Sequence, residues 1–105
     1  GRMAVPEPTN HRITLAQGRA LAQRYRDENP TAERAAYFGR AALEALLAHE
    51  RCAGVRIYHG RQANGAVALV LVAVDAENRD IVDGAVIDEH RPCPPYCDPT
   101  SPLNG

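Results

Sequence analysis

The residue types best suited to chemistry in this chain are gathered near its C-terminus, in the stretch His90-Arg-Pro-Cys-Pro-Pro-Tyr-Cys97. A histidine precedes two cysteines there, and Cys52 lies elsewhere in the chain. Structural zinc prefers four tetrahedral thiolate or imidazole ligands, so Cys52, His90, Cys93 and Cys97 form a candidate zinc set. The spacing is only moderately specific, because the common zinc knuckle has two residues between its cysteines and this motif has three.

The same cysteines also allow a disulfide, either between Cys93 and Cys97 or between one of them and Cys52. A cysteine pair with three intervening residues can close geometrically. A redox-active pair ordinarily has two intervening residues at the start of a helix, whose dipole lowers the thiol pKa, and the proline-rich tail predicts no such helix. Inert thiols are the third interpretation, because the cytosol keeps most thiols reduced. Metal, disulfide and inert thiols all stay open at this point.

Most familiar catalytic patterns are missing from the sequence. There is no lysine, since all twelve basic residues are arginines, which excludes a lysine nucleophile or Schiff base. Ser101, in the tail, is the one serine, which makes a serine triad a poor hypothesis. No phosphate loop, nucleophile elbow, paired-histidine zinc motif or dinucleotide fingerprint is present. The sequence therefore favours a binding or interaction module over an enzyme.

Composition is that of a single small soluble domain. The chain has 105 residues and a formal net charge of -1, so nucleic acid is not an expected partner. The longest apolar run, residues 66–74, is too short to span a bilayer. Gly1 and Arg2 are interpreted as a cloning remnant before a native Met3, and residues 1–12 as a flexible arm. Because this start has no basic and apolar leader pattern, we expect a cytoplasmic protein without membrane contact.

Two helices are predicted to position the rest of the chain. Thr14 and Gln17 match the capping box, in which each side chain satisfies a free amide at a helix start, and a helix is expected over residues 15–28. Asn29-Pro30 is expected to stop that helix and start a second one over residues 30–50.

Three strands are predicted after the helices. Alternation from Val55 to His59 indicates a half-buried strand, and the apolar run at residues 66–74 indicates a central one. A shorter strand is expected over residues 81–87. The predicted fold is therefore α+β in the order ααβββ, with both helices packed on one face of a three-stranded antiparallel meander. The expected domain covers residues 13–91, and the proline- and cysteine-rich tail, residues 92–105, is expected to pack on it.

One layer of two helices covers only one face of such a sheet. The other face would expose aliphatic side chains of the central strand, and we take Arg56, Tyr58, Val70 and Val72 as a candidate interaction surface. A homodimer in which two sheets pack face to face or edge to edge would cover this surface. The alternative is that the N-terminal arm and the C-terminal tail cover it.

Three motifs together resemble a family of small uncharacterised bacterial proteins. These are Cys52-Ala-Gly-Val-Arg-Ile-Tyr-His-Gly60, the strand Leu69-Val-Leu-Val-Ala-Val-Asp75 with Asp80-Ile81 after it, and the C-terminal Pro92-Cys-Pro-Pro-Tyr-Cys97. The resemblance spans most of residues 13–103. It implies a bacterial origin and these domain boundaries, and it assigns no catalytic residue. The resulting hypothesis is a homodimeric binding module, with a small zinc-binding or thiol-dependent protein using the cysteine tail as the alternative.

Overall fold

The computed structural model describes residues 10–104, which form two compact α+β units. One unit comprises residues 38–90, and the other comprises residues 10–37 together with residues 91–104. The elements in chain order are α1 (Leu15–Glu28), β1 (Ala35–Tyr37), α2 (Arg40–Leu47), β2 (Gly54–Arg61), β3 (Val67–Val74), β4 (Val86–Ile87), β5 (Arg91–Cys93) and a final 3-10 turn, η1 (Pro102–Asn104).

The first unit is a three-stranded antiparallel sheet, in the order β2-β3-β4, with α2 on it. The strands β2 and β3 pair along their whole lengths, which sets Ile57 opposite Leu71. The residue Leu46 of α2 is 1% exposed and packs with Leu71 of β3, and Ala73 and Ile81 complete this core. Apolar side chains at alternate positions of β3 thus meet one stripe of a short helix, as strand and helix periodicities require.

The second unit joins both ends of the described chain. Its sheet has two short antiparallel strands, β1 and β5, with Ala35 opposite Cys93. The helix α1 contacts η1, and the guanidinium of Arg26 donates a hydrogen bond of 2.6 Å to the carbonyl of Leu103. No residue of α1 is fully buried. This unit is therefore held by backbone pairing and polar contacts rather than by a large core.

The start and end of α1 confirm the sequence prediction. The Thr14 hydroxyl accepts a hydrogen bond from the Gln17 N–H, and the Gln17 side chain accepts one from the Thr14 N–H. At the other end, Asn29 closes the helix by donating from its N–H and its side-chain amide to the Tyr25 carbonyl. Local polar groups thus set both boundaries.

The predicted second helix over residues 30–50 is wrong in its first half. Residues 35–37 form β1, and the helix begins only after Gly39, whose extended backbone (φ -69°, ψ 157°) makes it the N-cap. Asn29 and Pro30 therefore lead into a turn instead of a new helix. The cause is long-range, because β5 offers backbone partners to Ala35–Tyr37 that outweigh the helical preference of two alanines.

The predicted ααβββ order and single sheet also need correction. A three-stranded meander is present, but β1 and β5 form a second sheet, and the third strand shortens to β4 after an isolated bridge between Val74 and Asp80. The expectation that both helices cover the meander is not met as stated, since α1 lies in the unit that contains β1 and β5. Residues 1–9, most of the predicted arm with its cloning remnant, lie outside the described residues.

Candidate functional site

The sulfur atoms of Cys93 and Cys97 are bonded as a disulfide, and the two Cα atoms lie 4.8 Å apart. Two elements position the pair. The carbonyl of Cys93, the last residue of β5, accepts a 2.7 Å hydrogen bond from the Arg34 N–H, which fixes it beside β1. The residue Cys97 follows the turn at residues 94–95, and its N–H donates to the Pro95 carbonyl at 2.9 Å. Of the three interpretations left open by the sequence, this is the local disulfide.

A cavity of about 180 Å³ lies beside the disulfide. Both cysteines line it, together with four polar side chains that the cysteine motif did not predict: Arg34, Asp98, Ser101 and Asn104. The Asn104 side-chain oxygen accepts a 3.2 Å hydrogen bond from the Arg34 guanidinium and lies 3.9 Å from the Cys93 sulfur. The Asn104 side-chain oxygen thus lies near both the Arg34 guanidinium and the buried Cys93 sulfur.

The Asp98 side chain, directly after Cys97 in the chain, is a carboxylate at neutral pH. The Thr100 hydroxyl donates to the Asp98 carboxylate at 2.7 Å and the Thr100 N–H donates at 3.0 Å, and these two bonds lower the pKa of Asp98. Hydrogen bonds to the charged form of a carboxyl group have this effect. The residue that follows Cys97 in the chain therefore carries a negative charge, whereas the atom beside the Cys93 sulfur is an amide oxygen held by the Arg34 guanidinium.

The remaining two members of the predicted zinc set lie in the first unit. The half-buried Cys52 is a free thiol and donates to the Gly54 carbonyl at 3.2 Å. The ring of His90 lies 6.2 Å from that of Phe38. Within residues 10–104, no group of three or more histidine, cysteine or acidic side chains is arranged to hold a metal ion. The zinc hypothesis therefore stays a prediction, and a formed disulfide offers no thiolate ligands.

The predicted interaction surface contains a polar cluster centred on Asp80. The Arg56 guanidinium pairs with the Asp80 carboxylate and donates to the Asn78 side chain, and the Tyr58 hydroxyl donates to the other Asp80 oxygen. The bond to Asp80 is the main reason that the pKa of Tyr58 is raised above its ordinary value, because it favours the neutral phenol. The cluster ties the loop after β3 to β2, and sequence analysis missed the role of Asp80 in it.

The aliphatic part of that surface is not exposed as expected. The side chain of Val72 is 4% exposed and Val70 is half-buried, whereas Tyr58 is exposed. The prediction that this aliphatic face of β3 is uncovered is therefore wrong, since Ala68 and Val74 are buried as well. What the face of β2 offers to solvent is an aromatic ring and part of a guanidinium.

The outer edge of β2 is the more open surface. This strand is an end member of its sheet, and within residues 10–104 its outer side has no backbone partner. The Gln62 N–H donates to the Ala66 carbonyl, so the antiparallel alternation turns the backbone groups of Val55, Ile57 and His59 outward. The side chains of Val55 and Ile57 are 37% and 54% exposed.

Exposed apolar side chains are frequent over the whole described range. Eight hydrophobic residues are buried, whereas fifteen large hydrophobic residues of the described range are exposed. On α2, Leu43 and Leu47 are exposed beside the buried Leu46.

None of the helices in the described range has the length and apolar character needed to cross a bilayer. Comparison with protein-family models, with curated proteins and with solved structures found no match for this chain. The disulfide cavity and the outer edge of β2 are therefore the two candidate functional surfaces of the described chain.

Proposed function

We propose that this protein is a small interaction module that associates with a second copy of itself through the outer edge of β2. The observation that carries the proposal is an eight-residue edge strand with outward backbone groups and exposed aliphatic side chains. An edge strand that has no backbone partner among residues 10–104 is a template for another strand. A binding role also agrees with a sequence that lacks recognisable catalytic patterns.

A small core supports the need for a partner. The first unit spans only residues 38–90 among the described residues, and domains of this size bury a limited share of their surface and often gain stability by association. Here Leu46 is the one large side chain below 2% exposure within the described residues. Burying Val55, Ile57, Leu43 or Leu47 against a second copy would add apolar contacts that the isolated chain does not make.

The sequence of β2 is complementary to itself when two copies run antiparallel. A two-fold axis through Ile57 places Ile57 opposite its own copy, Val55 opposite His59, and Arg56 opposite Tyr58. The last pair sets a guanidinium beside an aromatic ring, which is a favourable cross-strand pair. This register opposes no like charges, whereas an axis through Arg56 would oppose two guanidinium groups. Isologous pairing of this type is typical of homodimers.

The experiment compares His59→Pro with His59→Ala by sedimentation velocity over a concentration series. Proline removes the outward N–H of His59 without touching the bonds to β3, while alanine removes only the imidazole. Each lost hydrogen bond costs about 1 kcal/mol, and symmetry doubles the loss, so the proline variant should dimerise about thirtyfold more weakly. Far-UV circular dichroism checks that both variants fold.

The alanine variant should stay within a few-fold of the wild-type dissociation constant. A wild-type chain that sediments as a monomer at every concentration would refute the proposal. Equal dissociation constants for the wild type and His59→Pro would refute the proposed edge and leave the dimer to another surface.

A further inference from the structure

We propose that the Cys93–Cys97 disulfide is a thiol-exchange site, at which a small thiol admitted by the adjacent cavity attacks the sulfur of Cys97. The proposal concerns the second unit alone and does not depend on dimerisation through β2. It rests on the unequal settings of the two sulfurs, on the cavity that both cysteines line, and on the polar side chains around it.

Accessibility distinguishes the two sulfurs. The residue Cys93 is 4% exposed and held in β5 by the hydrogen bond from Arg34, whereas Cys97 is half-buried and lies outside the strands, after the turn at residues 94–95. Exchange requires a thiolate to reach a sulfur from the side opposite its bonded partner. The more exposed Cys97 allows that approach better than the buried Cys93.

The surroundings of Cys93 suit a protonated thiol as the product of this cleavage. The Cys93 sulfur lies 3.9 Å from the Asn104 side-chain oxygen, which also accepts a hydrogen bond from the Arg34 guanidinium. An amide oxygen accepts hydrogen bonds, so it can hold a newly formed Cys93 thiol. Attack at Cys97, with Cys93 leaving and taking up a proton, is therefore the favoured path.

The step balances with a small thiol as the named co-reactant. Its thiolate forms a bond to the Cys97 sulfur, the disulfide bond breaks, and the electron pair leaves on Cys93, which takes up a proton. The new Cys93 thiol can donate to the Asn104 oxygen. A second molecule of thiol then attacks the mixed disulfide, releasing the oxidised dimer of the small thiol and leaving Cys97 as a thiol. Two electrons pass from two small thiols to the protein.

The cavity size limits the co-reactant. A volume of about 180 Å³ holds a molecule of a few non-hydrogen atoms, and it is below the 300–1,000 Å³ of typical drug-sized pockets. Ser101 and Asn104 contribute polar groups to a lining that is otherwise mostly apolar. These dimensions favour a low-molecular-weight thiol over the active-site cysteine of another protein.

The first experiment treats the oxidised, native full-length chain with 2-mercaptoethanol, then quenches with acid and alkylates the thiols. Intact-mass and peptide mass spectrometry should find the transient adduct on Cys97, with Cys52 carrying none. A Cys52→Ser variant is the control and should react at the wild-type rate. A disulfide that persists in the native chain and reacts only in denaturant would overturn the proposal, as would reduction by thioredoxin but not by the small thiol.

The second experiment measures which sulfur reacts. The variants Cys93→Ser and Cys97→Ser each leave one thiol of the pair, and both are treated with the disulfide of 2-mercaptoethanol. The Cys97 thiol of the first variant should take up the adduct about tenfold faster than the Cys93 thiol of the second. Equal rates, or a faster reaction at Cys93, would refute the assigned direction of attack.

The third experiment tests the positioning role of Arg34. The variant Arg34→Gln should slow exchange about tenfold, because the Asn104 oxygen that accepts from the Arg34 guanidinium is then no longer held beside the Cys93 sulfur. The Arg34→Lys variant, which keeps a donor at this position, should restore much of the rate. An unchanged rate in Arg34→Gln would remove Arg34 from the site.

Discussion

A charge placed at the centre of the outer edge of β2 tests the dimer most directly. The side chain of Ile57 is 54% exposed in the single chain. Fully burying an isoleucine stabilises by about 1.5–3 kcal/mol, so association has roughly 1 kcal/mol left to gain at each copy. The two-fold axis through Ile57 doubles this figure and places the two side chains directly opposite. An Ile57→Lys variant loses both contributions and opposes two like charges.

The expected loss is therefore about 2 kcal/mol from burial alone, which corresponds to a roughly thirtyfold weaker dimer. Sedimentation velocity over a concentration series measures it. The matched control is Val82→Lys, which makes the same change of charge at a side chain that is 77% exposed and lies outside β2. The control should dimerise like the wild type. Equal weakening by both variants would show that net charge, and not the β2 edge, controls association, and the edge model would then be wrong.

Three further outcomes follow from single contacts. The variant Leu46→Ala should lower the free energy of unfolding of the first unit by about 3 kcal/mol in urea denaturation, because it empties a fully buried site; a loss near zero would contradict the assigned core. The variant Thr14→Ala should lower the stability of α1 by about 1 kcal/mol, since the capping bond is lost, and hydrogen exchange of its first-turn amides measures this. The Tyr58 phenol should ionise above its ordinary pKa of 10.0, because Asp80 holds the neutral form. The stability that this bond contributes is present below pH 10 and is lost as pH rises through the folded-state pKa of Tyr58. The difference between the absorbance titrations of the wild type and Tyr58→Phe should therefore show a phenol that ionises above pH 10.0.

Elements that local patterns determine were predictable from the sequence. The capping box at Thr14 and the stop at Asn29 bound α1 as expected, and alternation around Ile57 placed β2. These signals lie within a few residues of the structure they determine. The strand β1 has no such signal, because Ala35–Tyr37 becomes a strand only by pairing with residues 91–93, far away in sequence.

The same contrast between local sequence signals and long-range contacts applies to the candidate sites. The sequence predicted Cys93 and Cys97 as disulfide or metal candidates. Their bonding state and the contribution of Arg34 depend on how the second unit brings residue 34 beside β5. The burial of Val72 likewise depends on tertiary packing, because a continuous apolar strand has the same sequence pattern whether one of its faces is covered or both are. Distance along the chain, rather than residue type, is what limited the prediction.

A disulfide that exchanges with small thiols must be one whose loss the fold survives. Closing a loop of five residues restricts the unfolded chain little, and the chain-entropy model gives about 2 kcal/mol for it. The pairing of β1 with β5 and the bond from Arg26 to Leu103 hold the second unit independently of the sulfur bond. Reduction should therefore lower its free energy of unfolding by about 2 kcal/mol while leaving it folded, as denaturation with and without reductant, followed by hydrogen exchange of the β5 amides, would measure. Complete loss of amide protection on reduction would instead show that the second unit needs the disulfide to stay folded, which is incompatible with a disulfide that small thiols open in the folded chain.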